Sequence, residues 1–196
     1  MTLAYTSAAQ RLDAAREAYE RGRPDEAVRL LDAVLRSDPR SAQAHYLMGL
    51  SLMGMGDLAG AEGALRASLG IDRKRPAVMA ALGEVLKNTG RRAEAEKILR
   101  QALAIDRRSL PVVSGLASLL LGLGRAAESL QLTTPLVASA DARAAVLGLH
   151  AEALKQLGRF DEALEIARRS VAGGNAFAEL EVAGLLREQG LYQEAE

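Results

Sequence analysis

The sequence contains no cysteine, no tryptophan and only 2 histidines, and aromatic residues make up 3% of its 196 positions. The lack of cysteine excludes disulfides and zinc–thiolate sites, and it fits a cytoplasmic protein. The N-terminus has no basic segment followed by an apolar run, and no window approaches the ~18 apolar residues of a membrane span. The 25 basic and 25 acidic residues cancel, so no net field attracts nucleic acid or anionic lipid. We therefore expect a cytoplasmic protein that binds neither nucleic acid nor membrane.

The apolar residues that are present are mostly alanine and leucine. Hydrophobic residues make up 49% of the chain, and alanine and leucine are good helix formers that fill a core thinly. This composition predicts helices that pack on their nearest neighbours, with no deep central core. Among the 25 basic residues, lysine is limited to Lys74, Lys87, Lys97 and Lys155, a bias that favours a GC-rich bacterial source.

Glycines recur with a period of 34 residues, shortened to 32 at the last step: Gly22, Gly56, Gly90, Gly124, Gly158 and Gly190. A small residue stands seven positions before each of these glycines, and another stands five positions after it. Small residues let two helices approach closely, and a glycine can end a helix in the left-handed conformation that a β-carbon disfavours. Each period is therefore predicted to form a helix, a tight turn and a second helix.

This pattern resembles the tetratricopeptide repeat (TPR), a helical hairpin of 34 residues with small residues at fixed positions. Counted from Ala8, the resemblance divides the chain into a lead-in at 1–7, five repeats at 8–41, 42–75, 76–109, 110–143 and 144–175, and an incomplete sixth repeat at 176–196. It implies an all-α fold, a right-handed α-solenoid of stacked antiparallel helix pairs known as the TPR superhelix. Because the second helix of the sixth repeat is cut short, we expect a longer polypeptide or a second copy of the chain at this open C-terminal edge.

No group of residues predicts catalysis. His45 and His150 stand about three repeats apart with no cysteine to join them, so packing between helices is a better interpretation than metal binding or base catalysis. Gly54, Gly56 and Gly60 lack the lysine and serine of a phosphate-binding loop. We therefore predict no enzyme activity, no cofactor and no metal.

The resemblance also implies a binding surface, because the first helix of each pair lines a concave groove in this family. Carried over position by position, the groove-lining residues are Tyr46, Leu50, Met53, Ala80, Glu84, Lys87, Asn88, Ser114, Ser118, Leu121, Glu152 and Lys155. The apolar part of this set favours an extended or helical peptide with a hydrophobic anchor. The alternative, that Tyr46, Leu50 and Met53 only pack against neighbouring helices, stays open.

The predicted function is that of a non-enzymatic scaffold that binds a partner protein or peptide along the concave face. The alternative is the N-terminal targeting or substrate-presenting domain of a longer bacterial enzyme. Repeats of this family are joined in bacteria to sulfotransferase, glycosyltransferase or iron- and 2-oxoglutarate-dependent oxygenase domains. Self-association as a homo-oligomer through the open C-terminal edge is a third alternative. One fold serves many functions, so the residues do not name the partner.

Overall fold

Every element of the described structure is an α-helix. The computed structural model describes residues 7–138 and 144–172, with Val182, Gly184, Leu186 and Arg187 nearer the C-terminus. These ranges contain no strand, so the all-α prediction is confirmed for them. Residues 1–6 of the predicted lead-in and nearly all of the predicted sixth repeat lie outside the described residues. The helices are α1 (Ala8–Glu20), α2 (Pro24–Ser37), α3 (Ala42–Gly54), α4 (Leu58–Ile71), α5 (Pro76–Asn88), α6 (Arg92–Ile105), α7 (Leu110–Gly122), α8 (Ala126–Val137), α9 (Ala144–Gln156) and α10 (Phe160–Ala172).

The chain divides into two compact units, and the helices pair within each unit. The N-terminal unit, up to Asp106, contains α1 to α6, and the C-terminal unit, from Arg107, contains α7 to α10. Each odd-numbered helix packs against the even-numbered helix that follows it, and the short turn between them makes the two antiparallel. The first helices also contact one another: α1 with α3 and α3 with α5 in one unit, and α7 with α9 in the other. Each unit therefore has a surface built from the first helices of successive repeats.

The turn inside each helix pair contains a glycine in the left-handed conformation. Gly22, Gly56, Gly90, Gly124 and Gly158 have φ angles between 71 and 81°, a region that a β-carbon disfavours. At each of these glycines, no neighbouring atom lies within 4 Å of the position that a β-carbon would take. Backbone conformation, and not lack of space, therefore explains the glycine, and the predicted turns are confirmed at these positions.

The second helix of each pair begins in one of two ways. In four repeats, an arginine after the turn glycine pairs with a glutamate three residues later. Arg91 and Glu94, for example, make hydrogen bonds of 2.7 and 2.6 Å, which lower the pKa of the Glu94 carboxyl below its ordinary value. The repeat containing α3 and α4 instead uses Asp57, whose carboxylate accepts a hydrogen bond of 2.9 Å from the backbone N–H of Gly60. A β-carbon on Gly60 would lie 2.4 Å from Asp57 Oδ2, so a larger residue at position 60 would displace the capping carboxylate.

We expect Asp57→Ala to lower the free energy of unfolding by about 1 kcal/mol, because α4 loses the side chain that accepts from its first turn. Arg23→Ala is the comparison, since Arg23 stands at the same place before α2 and makes no side-chain cap there, only an exposed ion pair with Glu26, so its loss should be smaller. Urea denaturation of both variants measures the difference. An equal loss in the two would show that the Asp57 cap stabilises α4 no more than an exposed ion pair does.

Glycines also allow the two helices of a pair to touch in the N-terminal unit. A β-carbon on Gly49 would lie 2.6 Å from Leu65 Cγ, and one on Gly83 would lie 2.7 Å from Leu99 Cγ. Leu65 and Leu99 are buried, with exposures of 0% and 1%. Each glycine therefore marks a point where the backbone of the first helix rests directly on a leucine of the second.

Candidate peptide-binding surface

The first helices of the N-terminal unit present three matching rows of side chains. On each helix, residues spaced four and then three apart lie on one face. Because α1 contacts α3 and α3 contacts α5, corresponding residues of the three helices are neighbours. We call this surface the N-terminal face. Its residues are Leu12, Arg16 and Tyr19 of α1, Tyr46, Leu50 and Met53 of α3, and Ala80, Glu84 and Lys87 of α5.

The middle of the N-terminal face is apolar and half-buried. Tyr46, Leu50 and Met53 are each partly exposed, and Leu50 packs, together with Leu12 and Tyr19, against a buried core formed by α1, α2 and α3. Burial raises the pKa of the Tyr46 hydroxyl above its ordinary value, and the neighbouring Tyr19 adds to this rise. The residues predicted to anchor a partner thus remain partly accessible to solvent, and Leu50 among them also contacts the core.

Ion pairs border this apolar middle on both sides. On α5, the Lys87 ammonium lies 2.8 Å from the Glu84 carboxylate. On α1, the Arg16 guanidinium lies 3.6 Å from the Asp13 carboxylate. The charges on the two outer helices are therefore largely balanced by partners on the same helix.

A further cation reaches this face from the loop before α5. The Arg75 guanidinium lies over the Tyr46 ring, 5.5 Å from the ring centre. It also donates a hydrogen bond of 2.5 Å to the side-chain oxygen of Gln43. The carboxylate of Asp72 is 3.9 Å from Arg75 Nε, which is too long for a hydrogen bond. Arg75 thus places a positive charge beside the apolar middle of the face.

The predicted residues of the C-terminal unit form a different surface, on α7 and α9. Ser114 and Ser118 are small and partly exposed, and the Lys155 ammonium lies 2.6 Å from the Glu152 carboxylate. Leu121 is only 8% exposed and belongs to a buried cluster. At the predicted positions this unit therefore offers small or ion-paired side chains, and its one large apolar residue is buried.

The structure brings together most of the predicted residues of the N-terminal unit but also shows which were missed. Ala80 is buried at 6% exposure, whereas Asn88 is exposed. Tyr19 was missed, although it stands one 34-residue period before Met53 and therefore occupies the same position in the first repeat. Arg75 was not among the predicted groove residues, because it lies in a loop between repeats and nothing in its spacing indicates which way it turns.

The two histidines make structural contacts. His45 Nε2 is 3.0 Å from the carbonyl oxygen of Pro39, and the buried His150 has its Nδ1 2.7 Å from Thr133 Oγ1. In the part of the chain that the structure describes, no group of histidine, aspartate and glutamate side chains is arranged to hold a metal ion. Within the same ranges, no helix has the length and apolar character that crossing a bilayer requires.

Comparisons with known proteins agree on the fold. Family models of the tetratricopeptide repeat match residues 12–78, residues 52–120 and 90–153, and residues 140–169. No curated protein sequence matches the chain significantly. The solved structure of TTC0263, a thermophilic TPR protein of Thermus thermophilus, has a TM-score of 0.77 and 18% identity, over 92% of this chain and 99% of that one.

Two further solved structures show the same likeness. PilF of Pseudomonas aeruginosa has a TM-score of 0.81 and 19% identity, over 96% of this chain and 86% of that one. YrrB, described as a TPR protein with an unusual peptide-binding site, has a TM-score of 0.65 and 15% identity, over 94% and 92% of the two chains. At such identities the likeness concerns the fold alone. Since one family model alone matches segments from residue 52 to residue 153, and the helices pair as that family requires, the chain belongs to the tetratricopeptide repeat family.

Proposed function

We propose that this chain is a non-enzymatic protein-interaction module whose N-terminal face binds a segment of a partner protein. The observation that carries the proposal is the row of Tyr46, Leu50 and Met53, which remains partly exposed although it borders a packed core. Stacked helical repeats form extended surfaces of this kind, and such surfaces serve for binding. The two histidines, engaged in contacts inside the protein, support a role without catalysis.

The N-terminal face suits a partner with an apolar anchor. Binding energy concentrates where large apolar side chains lose water in the centre of an interface, with polar groups at the rim. The face has this arrangement, because Leu50 and Met53 lie between the ion pairs of α1 and α5. The corresponding surface of the C-terminal unit lacks an exposed apolar centre at the predicted positions, since Leu121 is buried.

The ligand that fits best is a short peptide segment, extended or helical, with an aliphatic or aromatic side chain directed at Leu50 and Met53. Segments of both kinds place their anchors at regular intervals along a groove. The likeness in fold to YrrB, which is described as having a peptide-binding site, supports this class of ligand.

We expect Met53→Glu to weaken the binding of peptides selected from a random displayed library by about tenfold or more, because a carboxylate inside an apolar contact loses its hydration without gaining a partner. Peptides are selected on the parent protein, synthesised with a fluorescent label, and measured by fluorescence anisotropy. Melting temperatures from circular dichroism show whether the variant keeps its fold.

Met55→Glu is the matched control for this experiment. Met55 ends the same helix, is 47% exposed, and lies outside the N-terminal face, so the same substitution should leave affinity nearly unchanged. If the parent and Met53→Glu bind the selected peptides equally well, with equal melting temperatures, binding takes place elsewhere. A loss of the same size in Met55→Glu would mean that added negative charge, and not the contact with Met53, weakens binding.

A further inference from the structure

Three hydrogen-bond donors lie in one part of the N-terminal face. Tyr46 and Arg75 are in contact through the ring and the guanidinium, and Tyr19 is close enough to influence the pKa of the Tyr46 hydroxyl. Burial raises that pKa, against an opposite effect of the Arg75 charge, and the Tyr46 hydroxyl, like that of an ordinary tyrosine, carries a proton at neutral pH that it can donate. The apolar middle of the face thus has a donor-rich edge.

The Arg75 guanidinium has spare donors at this edge. It uses Nη2 to bond Gln43, and its contact with Asp72, at 3.9 Å, is too long for a hydrogen bond. Within the described residues, Ser129 Oγ is the one fully buried side-chain nitrogen or oxygen that lacks a partner. The Arg75 nitrogens that make no hydrogen bond are therefore not fully buried, and solvent reaches them, although the side chain as a whole is only 25% exposed.

A half-buried guanidinium of this kind favours a carboxylate. Its cation–π contact with Tyr46 and its bond to Gln43 restrain the guanidinium, so less side-chain entropy is lost when an anion binds. Partial burial strengthens the charge-assisted hydrogen bond that such an anion would accept. The Asp72 carboxylate forms an ion pair with Arg75 at 3.9 Å, but it is 55% exposed and accepts no hydrogen bond from Arg75, so the N–H groups of Arg75 stay available to a second carboxylate.

We propose that Arg75 and Tyr46 recognise an acidic side chain, aspartate or glutamate, next to the apolar anchor of the bound segment. This inference rests on the proposed function and names the chemistry of its ligand. Arg75 lies against α3, the central one of the three first helices of this unit, so a segment that covers the face continues on both sides of it. The group that meets Arg75 is therefore a side chain within the segment and not a chain terminus.

The test uses the same displayed library, selected separately on the parent protein and on Arg75→Gln. Peptides selected on the parent should be enriched in aspartate or glutamate near an apolar residue, and those selected on Arg75→Gln should not. One enriched peptide is then synthesised with an amidated C-terminus, together with its analogue in which the acid is replaced by the matching amide. The parent should bind the analogue about tenfold more weakly, as expected for the loss of a charge-assisted hydrogen bond, and Arg75→Gln should bind the two peptides equally.

Arg73→Gln is the matched control, because it removes the same charge from an exposed position in the same loop and should keep the parent's preference. Arg75→Lys keeps the charge but loses the planar guanidinium, so its preference for the acidic peptide should fall without disappearing. Melting temperatures of all variants show that each is folded.

Two results would overturn the inference while leaving the proposed function intact. In the first, binding of the selected peptides depends on Met53, but the peptides show no excess of aspartate or glutamate. In the second, Arg73→Gln reduces the preference for the acidic peptide as much as Arg75→Gln does. Selected peptides that do not depend on Met53 would instead reject the proposed function, and this inference with it.

Discussion

Replacing Leu99 by alanine is expected to lower the free energy of unfolding by about 2–5 kcal/mol, since this is the usual cost of removing a large buried side chain. Leu99 is 1% exposed, and it lies directly against Gly83 of the partner helix. A glycine has no side chain that could move into the space left behind, so the cavity should persist. Urea denaturation followed by far-UV circular dichroism measures the loss.

The contact between Gly83 and Leu99 makes a second substitution informative. Gly83→Ala alone gains roughly 1 kcal/mol of helix propensity, but its new methyl group would lie 2.7 Å from Leu99 Cγ. Overpacking typically costs about 1–3 kcal/mol, and the buried Leu99 has no solvent-exposed position to move into. We therefore expect Gly83→Ala to be destabilising in the parent.

In the Leu99→Ala background the same Gly83→Ala change should be stabilising, because the methyl group then fills part of the cavity and the gain in helix propensity remains. The fifth repeat supports this expectation. It has alanine at both of the corresponding positions, Ala151 and Ala167, and both are fully buried.

Gly63→Ala is the matched control for this pair of variants. Gly63 lies in α4, is exposed, and has no atom within 4 Å of the position of a β-carbon. The substitution should therefore raise stability by up to about 1 kcal/mol. Two results would contradict the packing argument. In one, Gly83→Ala stabilises the parent as much as Gly63→Ala does. In the other, it has the same effect with and without Leu99.

The features that could be predicted from the sequence are those that only a few residue types can form. A left-handed φ angle is readily adopted by glycine and by few other residues, so the period of Gly22, Gly56 and the later turn glycines indicated the turns directly. Close approach of two helices similarly needs a small residue, which made Gly49 and Gly83 recognisable as contact points. Both predictions depend on one residue at a time.

The candidate site was harder to predict because it depends on neighbours from other helices. The repeat position of Leu121 indicates the side of α7 on which it lies, but its burial depends on the small residues Ala126 and Ala153, which leave room for it. Arg75 could point to solvent or back to α3, and only the ring of Tyr46 and the amide of Gln43 decide between them. Sequence periodicity predicts which residues share one face of a helix, but it does not predict how deeply neighbouring helices bury each of them.

One buried polar pair in the C-terminal unit interrupts an otherwise apolar pattern. Thr133 of α8 stands where three other repeats have leucine, and His150 of α9 stands where the three preceding repeats have methionine or leucine. The His150 side chain is buried at 7% exposure. Thr133 Oγ1 is 2.7 Å from His150 Nδ1 and 2.9 Å from the carbonyl oxygen of Ser129, to which it donates. Packing of this histidine was predicted, but its hydrogen bond to α8 of the preceding repeat was not.

Burial lowers the pKa of His150 below its ordinary value of 6.5, and the positive charges of Arg159 and Arg169 lower it further, against a smaller opposite effect of Glu162. The folded state thus binds this proton less readily than the unfolded state does. Between the two pKa values the unfolded state carries more protons, so the free energy of unfolding rises with pH in this window. The stability is fully present above the unfolded value and is lost as the pH falls from about 6.5 towards the folded pKa.

We therefore expect the C-terminal unit to lose stability on mild acidification, by about 1.4 kcal/mol for each unit that separates the two pKa values. His150→Leu should remove this dependence, since Leu82 and Leu116 occupy the same position in the two preceding repeats and Thr133 keeps its bond to the Ser129 carbonyl. Melting curves between about pH 8 and pH 5.5 compare the two proteins, and amide hydrogen exchange, corrected for its intrinsic pH dependence, locates the change. The parent should lose protection in α8 and α9 and keep it in α3 and α4. An equal loss of melting temperature in His150→Leu, or equal loss of protection in both units, would assign the acid sensitivity to other groups.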